Sequence, residues 1–575
     1  MRAFTSILAT TVLMAMSSLG LAQIKAGSES TPTFKESTSA QNVNQVIDHI
    51  IAREREELGV INSYRPIVET YVQVFNPKRD DTPSSFTRDG YYLGQADLSN
   101  SKRISYHSML APRDQIPKKG FVDEDFNPIG FVQMVYIDRN GFDRQHYSFR
   151  YVGREFLGDV RCAMFDISPL PNAGPGRFIG RIWAEDKDYT VVRFNGDYLG
   201  VKKGYSSHFD SWRLNVQPGL WLPGYAFAEE TELRVRAVDF TFLNNRLRFK
   251  AETRFWGYHL KQPNREQEFS DLKIDTATPV KDVGANYQND DSPVQAEREW
   301  RRQAEDNVLD ALQSVGLLAP AGEVDKVLDA VVNNLEVTNN LNIEPPVRCR
   351  VLTTTTFDLF AVGHVIVVSR GLLDVLPDEP TLATMLAQEL GDIMVSRTPA
   401  DRYAFYDIVQ LPTLDGLKRF SFKLDGRERE ASNQKAIALL GNSPYKDKLA
   451  SAGLFLKQFS QDSGSLRALV SPHMGNRIYV ASQLTGTAPA LQAGNVEQIA
   501  ALPLGSRVKL DPWTDAVELV NAKAMPLVSA REKMPFEVTP LAPHLTRYSN
   551  TKTSDESPKV ALHESGQPSP PQPRK

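Results

Sequence analysis

Four polar side chains with helical spacing in the second half of the chain are candidates for chemistry. Gln388, Glu389 and Asp392 stand in one largely apolar stretch, and Glu428 stands in a later one. Residues four apart share one helix face, so Gln388 and Asp392 can point at a common ligand. Together with Glu428 they offer oxygen ligands only, a set that suits harder ions than zinc. Glu389 can act as a general base only where a tightly held cation lowers the pKa of water from about 15.7 to about 7.

The sequence around these residues resembles the zinc metalloendopeptidases of the HtpX and CAAX-prenyl-protease type, which are gluzincins. The segment Val365-Ile-Val-Val-Ser-Arg-Gly-Leu-Leu373 is similar to that family's strand and its (S/T)RGLL lead-in. Leu382–Ser396 is similar to the helix that carries its His-Glu-x-x-His motif. Glu428-Arg-Glu-Ala431 is similar to its second-helix signature, Glu-x-x-Ala-Asp, with Ser432 in the place of the aspartate. The resemblance covers about residues 300–480.

The resemblance implies a role for each candidate residue. Gln388 and Asp392 take the positions of the two motif histidines, and Glu428 takes that of the third zinc ligand. Because a neutral amide is a poor zinc ligand, we expect these metal positions to be vacant and the general-base position, Glu389, to be non-functional. No cofactor is then expected, and zinc would be the cofactor if the chain were active. The resemblance further implies an edge strand that pairs with an extended substrate, formed by Val365, Ile366, Val367 and Val368.

Three functions are compatible with these residues. The leading hypothesis is a catalytically inactive pseudopeptidase that binds or scaffolds an unfolded or extended polypeptide segment, or an envelope protein. The second is an active zinc metalloendopeptidase with a divergent site around Glu389 and Glu428. The third is a carrier of an apolar ligand in the β-rich region, where aromatic side chains could line a cavity. Those side chains are Trp183, Trp212, Trp221, Phe240, Phe242, Phe255 and Trp256.

Composition and charge exclude several classes of protein. The chain has 66 basic and 70 acidic side chains, a net charge of −4, so charge alone does not recruit nucleic acid. With two cysteines, Cys162 and Cys349, it cannot be a disulfide scaffold or hold a cysteine-rich metal cluster. We expect each cysteine to be a buried thiol.

The N-terminus has the pattern of an export signal. Arg2 precedes an apolar run, and Gly20-Leu-Ala22 supplies the small residues of a cleavage site. This pattern predicts a signal peptide over residues 1–22 and a secreted or periplasmic protein. No later apolar stretch is long enough for a transmembrane span.

The remaining patterns predict an α+β multidomain protein. Alternating apolar and polar residues predict a large antiparallel sheet or half-barrel, in a strand layout similar to the LolA and LolB lipoprotein carriers. Within it, Phe131–Ile137 is predicted as a strand. Helical spacing then predicts a zincin-like α+β domain. The predicted order is a signal peptide at 1–22, an N-terminal helical segment at 23–65, the β domain at 66–260, a linker at 261–295, the metallopeptidase-like domain at 296–480, a β-containing segment at 481–550 and a disordered tail at 551–575.

Overall fold

A computed structural model describes the greater part of the chain. By internal contacts the chain divides into Met1–Val46 and Ile47–Lys575, and both larger sheets belong to the second unit. The predicted signal peptide and C-terminal tail, and almost all of the predicted linker, lie outside the described residues. The described residues are 36–75, 86–99, 104–110, 128–199, 208–234, 246–259, 293–395, 421–463, 466–490 and 508–519, with 492, 495 and 498.

The first ten strands form one antiparallel sheet, as the sequence predicts. The order across the sheet is β3-β2-β1-β10-β9-β8-β7-β6-β5-β4, so β4 to β10 follow one another as a meander and β1 pairs with β10. The strands are β1 Ile67–Phe75, β2 Phe86–Asp97, β3 Ser105–Ser108, β4 Tyr147–Leu157, β5 Val160–Pro169, β6 Arg177–Glu185, β7 Val191–Leu199, β8 His208–Gln217, β9 Leu220–Arg234 and β10 Arg246–Trp256.

Helices precede, interrupt and follow this sheet. None of the helices that the structure describes combines the length and the hydrophobicity needed to cross a bilayer. They are α1 Glu36–Ile61, α2 Pro128–Val132, α3 Pro293–Ser314, α4 Glu323–Thr338, α5 Arg370–Val375, α6 Glu379–Val395, α7 Gly426–Gly441, α8 Leu449–Asp462, α9 Arg467–Val470 and α10 Ser482–Thr487.

The predicted strand at Phe131–Ile137 is wrong. Helix α2 and a 3₁₀ turn at Gln133–Val135 occupy most of this stretch. Pro128 suits the first turn of a helix because its missing N–H has no partner to lose there. The stretch is apolar at nearly every position, so it does not have the alternation of a strand with one polar face. The structure buries Phe131, Val132, Met134, Val135, Tyr136 and Ile137.

A fully buried ion pair joins α1 to the sheet. Arg213 on β8 donates hydrogen bonds to both carboxylate oxygens of Glu54 on α1, at 2.7 Å each. Neither side chain is exposed to solvent. Loss of one partner would leave an uncompensated buried charge, at a cost of about 3–5 kcal/mol. The pair therefore fixes the position of this part of α1 on the sheet.

The elements from α3 to α10 are called the helical part of the chain below. A second, smaller sheet lies within it. It consists of β11 Arg348–Leu352, β12 Leu359–Val362 and β13 Val365–Ser369. Strand β13 is the central strand, parallel to β11 and antiparallel to β12. Helix α4 packs against β11, and α6 packs against β12. A short hairpin, β14 Val508–Leu510 and β15 Val517–Leu519, follows later.

Two buried carboxylates fasten the large sheet to the helical part. Glu69 on β1 accepts hydrogen bonds from the main-chain N–H and the hydroxyl of Thr355, at 2.6 Å each. Asp89 on β2 accepts from the main-chain N–H groups of Ala468 at 2.9 Å and Leu469 at 3.1 Å, at the start of α9. Apolar residues of both parts also form one core. That core includes Ile67, Tyr71, Leu93 and Trp256 from the sheet and Val308, Leu312 and Leu317 from the helical part.

We predict that the free energy of unfolding falls as pH rises through the titration of Asp89, because the charged form of this carboxyl is buried. Burial raises the pKa of Asp89 to about 6, against the lowering effect of its hydrogen bonds to Ala468 and Leu469. A carboxyl whose pKa is raised on folding binds its proton more tightly in the folded state, so its contribution to stability falls as pH rises from about 4 to about 6. At about 1.4 kcal/mol per pKa unit the loss is about 3 kcal/mol.

Urea unfolding between pH 4 and pH 7 measures this loss, with Asp89→Asn as the variant that cannot ionise. The unfolding free energy of the parent should fall relative to that of Asp89→Asn as pH rises. Asp447→Asn, on an exposed turn, serves as the control and should run parallel to the parent. Parallel curves for all three proteins would contradict the prediction.

Candidate functional site

Helix α6, which carries the predicted site residues, forms where the sequence predicts a helix. The carboxylate of Asp378 accepts hydrogen bonds from the N–H of Thr381 at 2.9 Å and from its hydroxyl at 2.5 Å, which caps the first turn. Glu379 in that turn suits the positive end of the helix dipole. Because most of the helix is buried, its polar residues need partners within the protein.

Gln388 is bound to the main chain of a distant segment. Its side-chain nitrogen donates to the carbonyl of Tyr479 and its side-chain oxygen accepts from the N–H of Tyr479, both at 3.0 Å. The amide thus pairs with the backbone of Tyr479 as a neighbouring strand would. Both polar atoms of Gln388 are engaged in this bridge, which fixes the segment that contains Tyr479 against α6.

Glu389 and Asp392 are buried beside each other. Asp392 accepts hydrogen bonds from the hydroxyl of Ser432 and, at 3.4 Å, from the amide of Asn476. Among the described residues no donor reaches the Oε2 atom of Glu389. Burial is the largest cause that raises the pKa of Glu389, and the charge of Asp392 raises it further. The Arg429 guanidinium lowers it. Burial also raises the pKa of Asp392. Glu389 is therefore held in its protonated form well above the usual pKa of a glutamate.

Glu428 serves as a helix cap. Its carboxylate accepts from the N–H of Asp425 at 3.3 Å, and the Asp425 carboxylate accepts from the N–H of Glu428 at 2.9 Å. This reciprocal pair is a capping box at the start of α7. Within the described part of the chain, no group of three or more His, Cys, Asp or Glu side chains is arranged to hold a metal ion. Gln388, Asp392 and Glu428 each bond to the protein's own groups, and their assignment as vacant metal positions stays a prediction.

The predicted substrate strand has no free edge. Val365, Ile366, Val367 and Val368 lie on β13, whose main chain pairs with β11 on one side and β12 on the other. All four side chains are fully buried. An added strand would need an open row of N–H and C=O groups, which a central strand does not have. The expectation of a peptide groove along β13 is wrong.

Among the described strands, one open edge lies on the large sheet, at β4. Strand β4 ends the sheet, and over 11 residues it pairs only with β5 among the described strands. Three of its large apolar side chains are exposed: Phe156 by 67%, Tyr151 by 43% and Val152 by 37%. A long edge strand with exposed apolar side chains is a natural site for pairing with another chain. Sequence reasoning missed it because the alternating pattern of β4 is that of any strand in the sheet.

The aromatic side chains proposed to line a cavity are packed against neighbours. Arg193 lies between the rings of Trp183 and Trp212, at 4.3 and 4.4 Å from their centroids. Trp221 belongs to a buried cluster with Cys162, which is a free thiol, as is the buried Cys349. The indole N–H of Trp256 donates to a main-chain oxygen, and Phe255 is buried. Phe240 and Phe242 lie outside the described residues. The carrier hypothesis stays a prediction.

Comparisons with known proteins give no family. No family model and no curated protein matches the chain. Among solved structures, it is similar to the crystal structure of a DUF1329 family protein from Desulfovibrio piger, at 11% identity and a TM-score of 0.21. The match covers 40% of this chain and 99% of that one. A TM-score this low supports no conclusion about fold or function. The similarity of strand layout to LolA and LolB therefore stays a prediction.

The assignment to the zinc metalloendopeptidases is wrong. No group of three or more His, Cys, Asp or Glu side chains among the described residues could hold a metal ion, and no family model of a peptidase matches the chain. The sequence resemblance rests on a strand followed by two helices, which packing alone can produce. The polar residues at the motif positions bind the protein's own groups: Gln388 binds Tyr479, and Asp392 binds Ser432.

We predict that Glu389→Gln reduces the dependence of stability on pH. Because the pKa of Glu389 is raised on folding, its contribution to stability is lost as pH rises above the ordinary value of about 4.3. An amide of the same shape does not ionise. Thermal melts from pH 5 to pH 8 should show the parent losing more stability than the variant. Glu430→Gln, on the exposed side of α7, should follow the parent, and a Glu389→Gln curve that also follows it would contradict the prediction.

We predict that Gly391→Ala destabilises the contact between α6 and α7. A Cβ atom at Gly391 would lie 2.6 Å from the main-chain oxygen of Ser432, so one helix backbone must shift. Such overpacking costs about 1–3 kcal/mol, whereas alanine in an open helical position gains up to about 1 kcal/mol. The control is Gly59→Ala on α1, where a Cβ meets nothing within 4 Å. Urea unfolding should give opposite signs for the two variants, and the same sign would refute the close contact.

Proposed function

We propose that this protein is a non-catalytic binding or scaffold protein that takes up an extended polypeptide segment by strand addition at β4. The observation that carries the proposal is the edge of this 11-residue strand, which is open among the described strands and exposes the apolar side chains of Phe156, Tyr151 and Val152. Strand addition uses main-chain hydrogen bonds for affinity and alternate side chains for specificity. It needs no metal and no catalytic residue.

The main chain of β4 offers a row of groups to such a partner. In an antiparallel pair, successive residues direct their N–H and C=O groups alternately toward and away from the neighbouring strand. The carbonyl of His146 accepts from the N–H of Leu170 at 2.8 Å, so His146 faces β5. By this alternation Tyr147, Phe149 and Tyr151 direct their main-chain groups to the open side.

The side chains of β4 restrict which strands can pair there. Natural edge strands are protected by charges and bulges. Strand β4 has both, because Arg150, Arg154 and Glu155 are exposed and its register shifts between Tyr151 and Gly153. The charges and the bulge occur together with an exposed phenylalanine. This combination suits pairing with selected strands better than it suits protection of the edge from all strands. A fitting segment would be extended, with apolar side chains and charges opposite to those of β4.

Loss of one outward N–H should weaken strand addition. Proline is tolerated in an edge strand where the lost N–H faces solvent. We therefore expect Tyr151→Pro to keep its pairing with β5 but to bind an added strand about tenfold more weakly, the effect of a main-chain hydrogen bond worth up to about 1.5 kcal/mol. Tyr151→Ala is the matched control, since it loses the same ring and keeps the N–H.

A displayed library of 11-residue peptides, selected on the full chain, supplies the probes. Selected peptides should bind the parent and Tyr151→Ala more tightly than Tyr151→Pro, and hydrogen exchange should show new protection at β4 amides. Circular dichroism of each variant confirms folding. If selected peptides protect other segments only, or bind a folded Tyr151→Pro as well as Tyr151→Ala, strand addition at β4 is refuted.

A further inference from the structure

We infer that the strand added to β4 is β4 of a second copy of this chain, in an antiparallel pair about a two-fold axis. This inference rests on the proposed function and names its partner. It follows from the order of charged and aromatic residues along β4, which is complementary to itself when the strand is reversed.

The bulge in β4 sets which side chains share a face. Arg150 lies opposite Asp166 of β5, and Glu155 lies opposite Cys162. Asp166 and Cys162 are four residues apart on β5 and so point to the same face. Arg150 and Glu155 are five residues apart, a spacing that in a regular strand would put them on opposite faces. The extra residue at the bulge, Val152, places them on the same face.

One antiparallel register then satisfies both charges. When Arg150 lies opposite Glu155 of the second copy, the two-fold axis also places Glu155 opposite Arg150 of that copy. The same register sets Phe149 opposite Phe156 of the second copy and Tyr151 opposite Arg154. The two-fold axis repeats each of these pairs with the two copies exchanged. Opposite charges and aromatic pairs across strands are stabilising. A shift of two residues in either direction sets Arg150 opposite Gly153 or Leu157 and removes both ion pairs, so the register is specific.

The free protein leaves these groups able to pair. The side chain of Arg150 is 74% exposed, although one of its nitrogens contacts Asp166. A guanidinium has five N–H donors and can serve a second carboxylate. Glu155 is exposed and accepts one hydrogen bond, at 2.7 Å, from the indole of Trp183 through its Oε2 atom. Phe156, which is 67% exposed, would be covered by Phe149 of the second copy.

Sedimentation velocity of the full chain over a range of concentrations tests the inference. The parent should form a dimer at micromolar concentration. Arg150→Glu and Glu155→Arg should each weaken the dimer at least tenfold, because each places like charges opposite one another. The double variant Arg150→Glu/Glu155→Arg reverses both charges and should recover affinity to within about threefold of the parent.

Controls separate the charge effect from misfolding. Near-ultraviolet circular dichroism reports whether the Trp183 environment survives in the Glu155→Arg variants. Lys326→Glu, on the exposed face of α4, is a charge reversal away from β4 and should leave the dimer unchanged. A parent that stays monomeric, or a folded double variant that fails to recover, overturns the inference. If the dimer test fails but library peptides still bind β4 through the Tyr151 N–H, the proposed function stands without this inference. If no peptide binds at β4, the inference and the proposed function both fail.

Discussion

The pairing of β1 with β10 is the interaction on which the rest of this structure depends. It joins the first strand of the sheet to the last one across about 180 residues of chain, in a continuous nine-residue register. Loop closure over that length is costly in entropy, and the pair repays it because both strands are buried on their two faces. The pair leaves β3 and β4 as the two ends of the sheet. It also brings Glu69 and Trp256 to the face that contacts the helical part.

Burial then dictates how the polar residues behave. Glu69, Asp89, Gln388 and Asp392 are all withdrawn from water, and each takes hydrogen bonds from groups far away in the sequence. Such contacts position one element on another, because an unpaired polar group would cost more than the contact gains. Helix α6 illustrates the point: its polar face is used to hold Tyr479 and α7 in place.

Hydrogen bonding of the main chain distinguishes the two candidate binding strands, β13 and β4. Strand β13 is buried along its whole length, and its main chain is paired on both sides, so it is a core strand. Strand β4 is less buried and, among the described strands, is paired on one side only. A strand binds another chain through its unpaired main-chain groups and not through hydrophobicity alone. Position in the sheet, rather than composition of the strand, therefore decides which of the two strands has main-chain groups left to offer a partner.

The sequence alone determined the features that depend on near neighbours. The capped helix at Glu379–Val395, the helix at Gly426–Gly441 and the alternating strands of the large sheet follow from local caps and periodicity. Only the tertiary structure decided which strand is an edge and that Gln388 binds Tyr479, 91 residues further on. The physical reason is that pairing and burial are set by partners distant in the chain, whose choice leaves no local pattern.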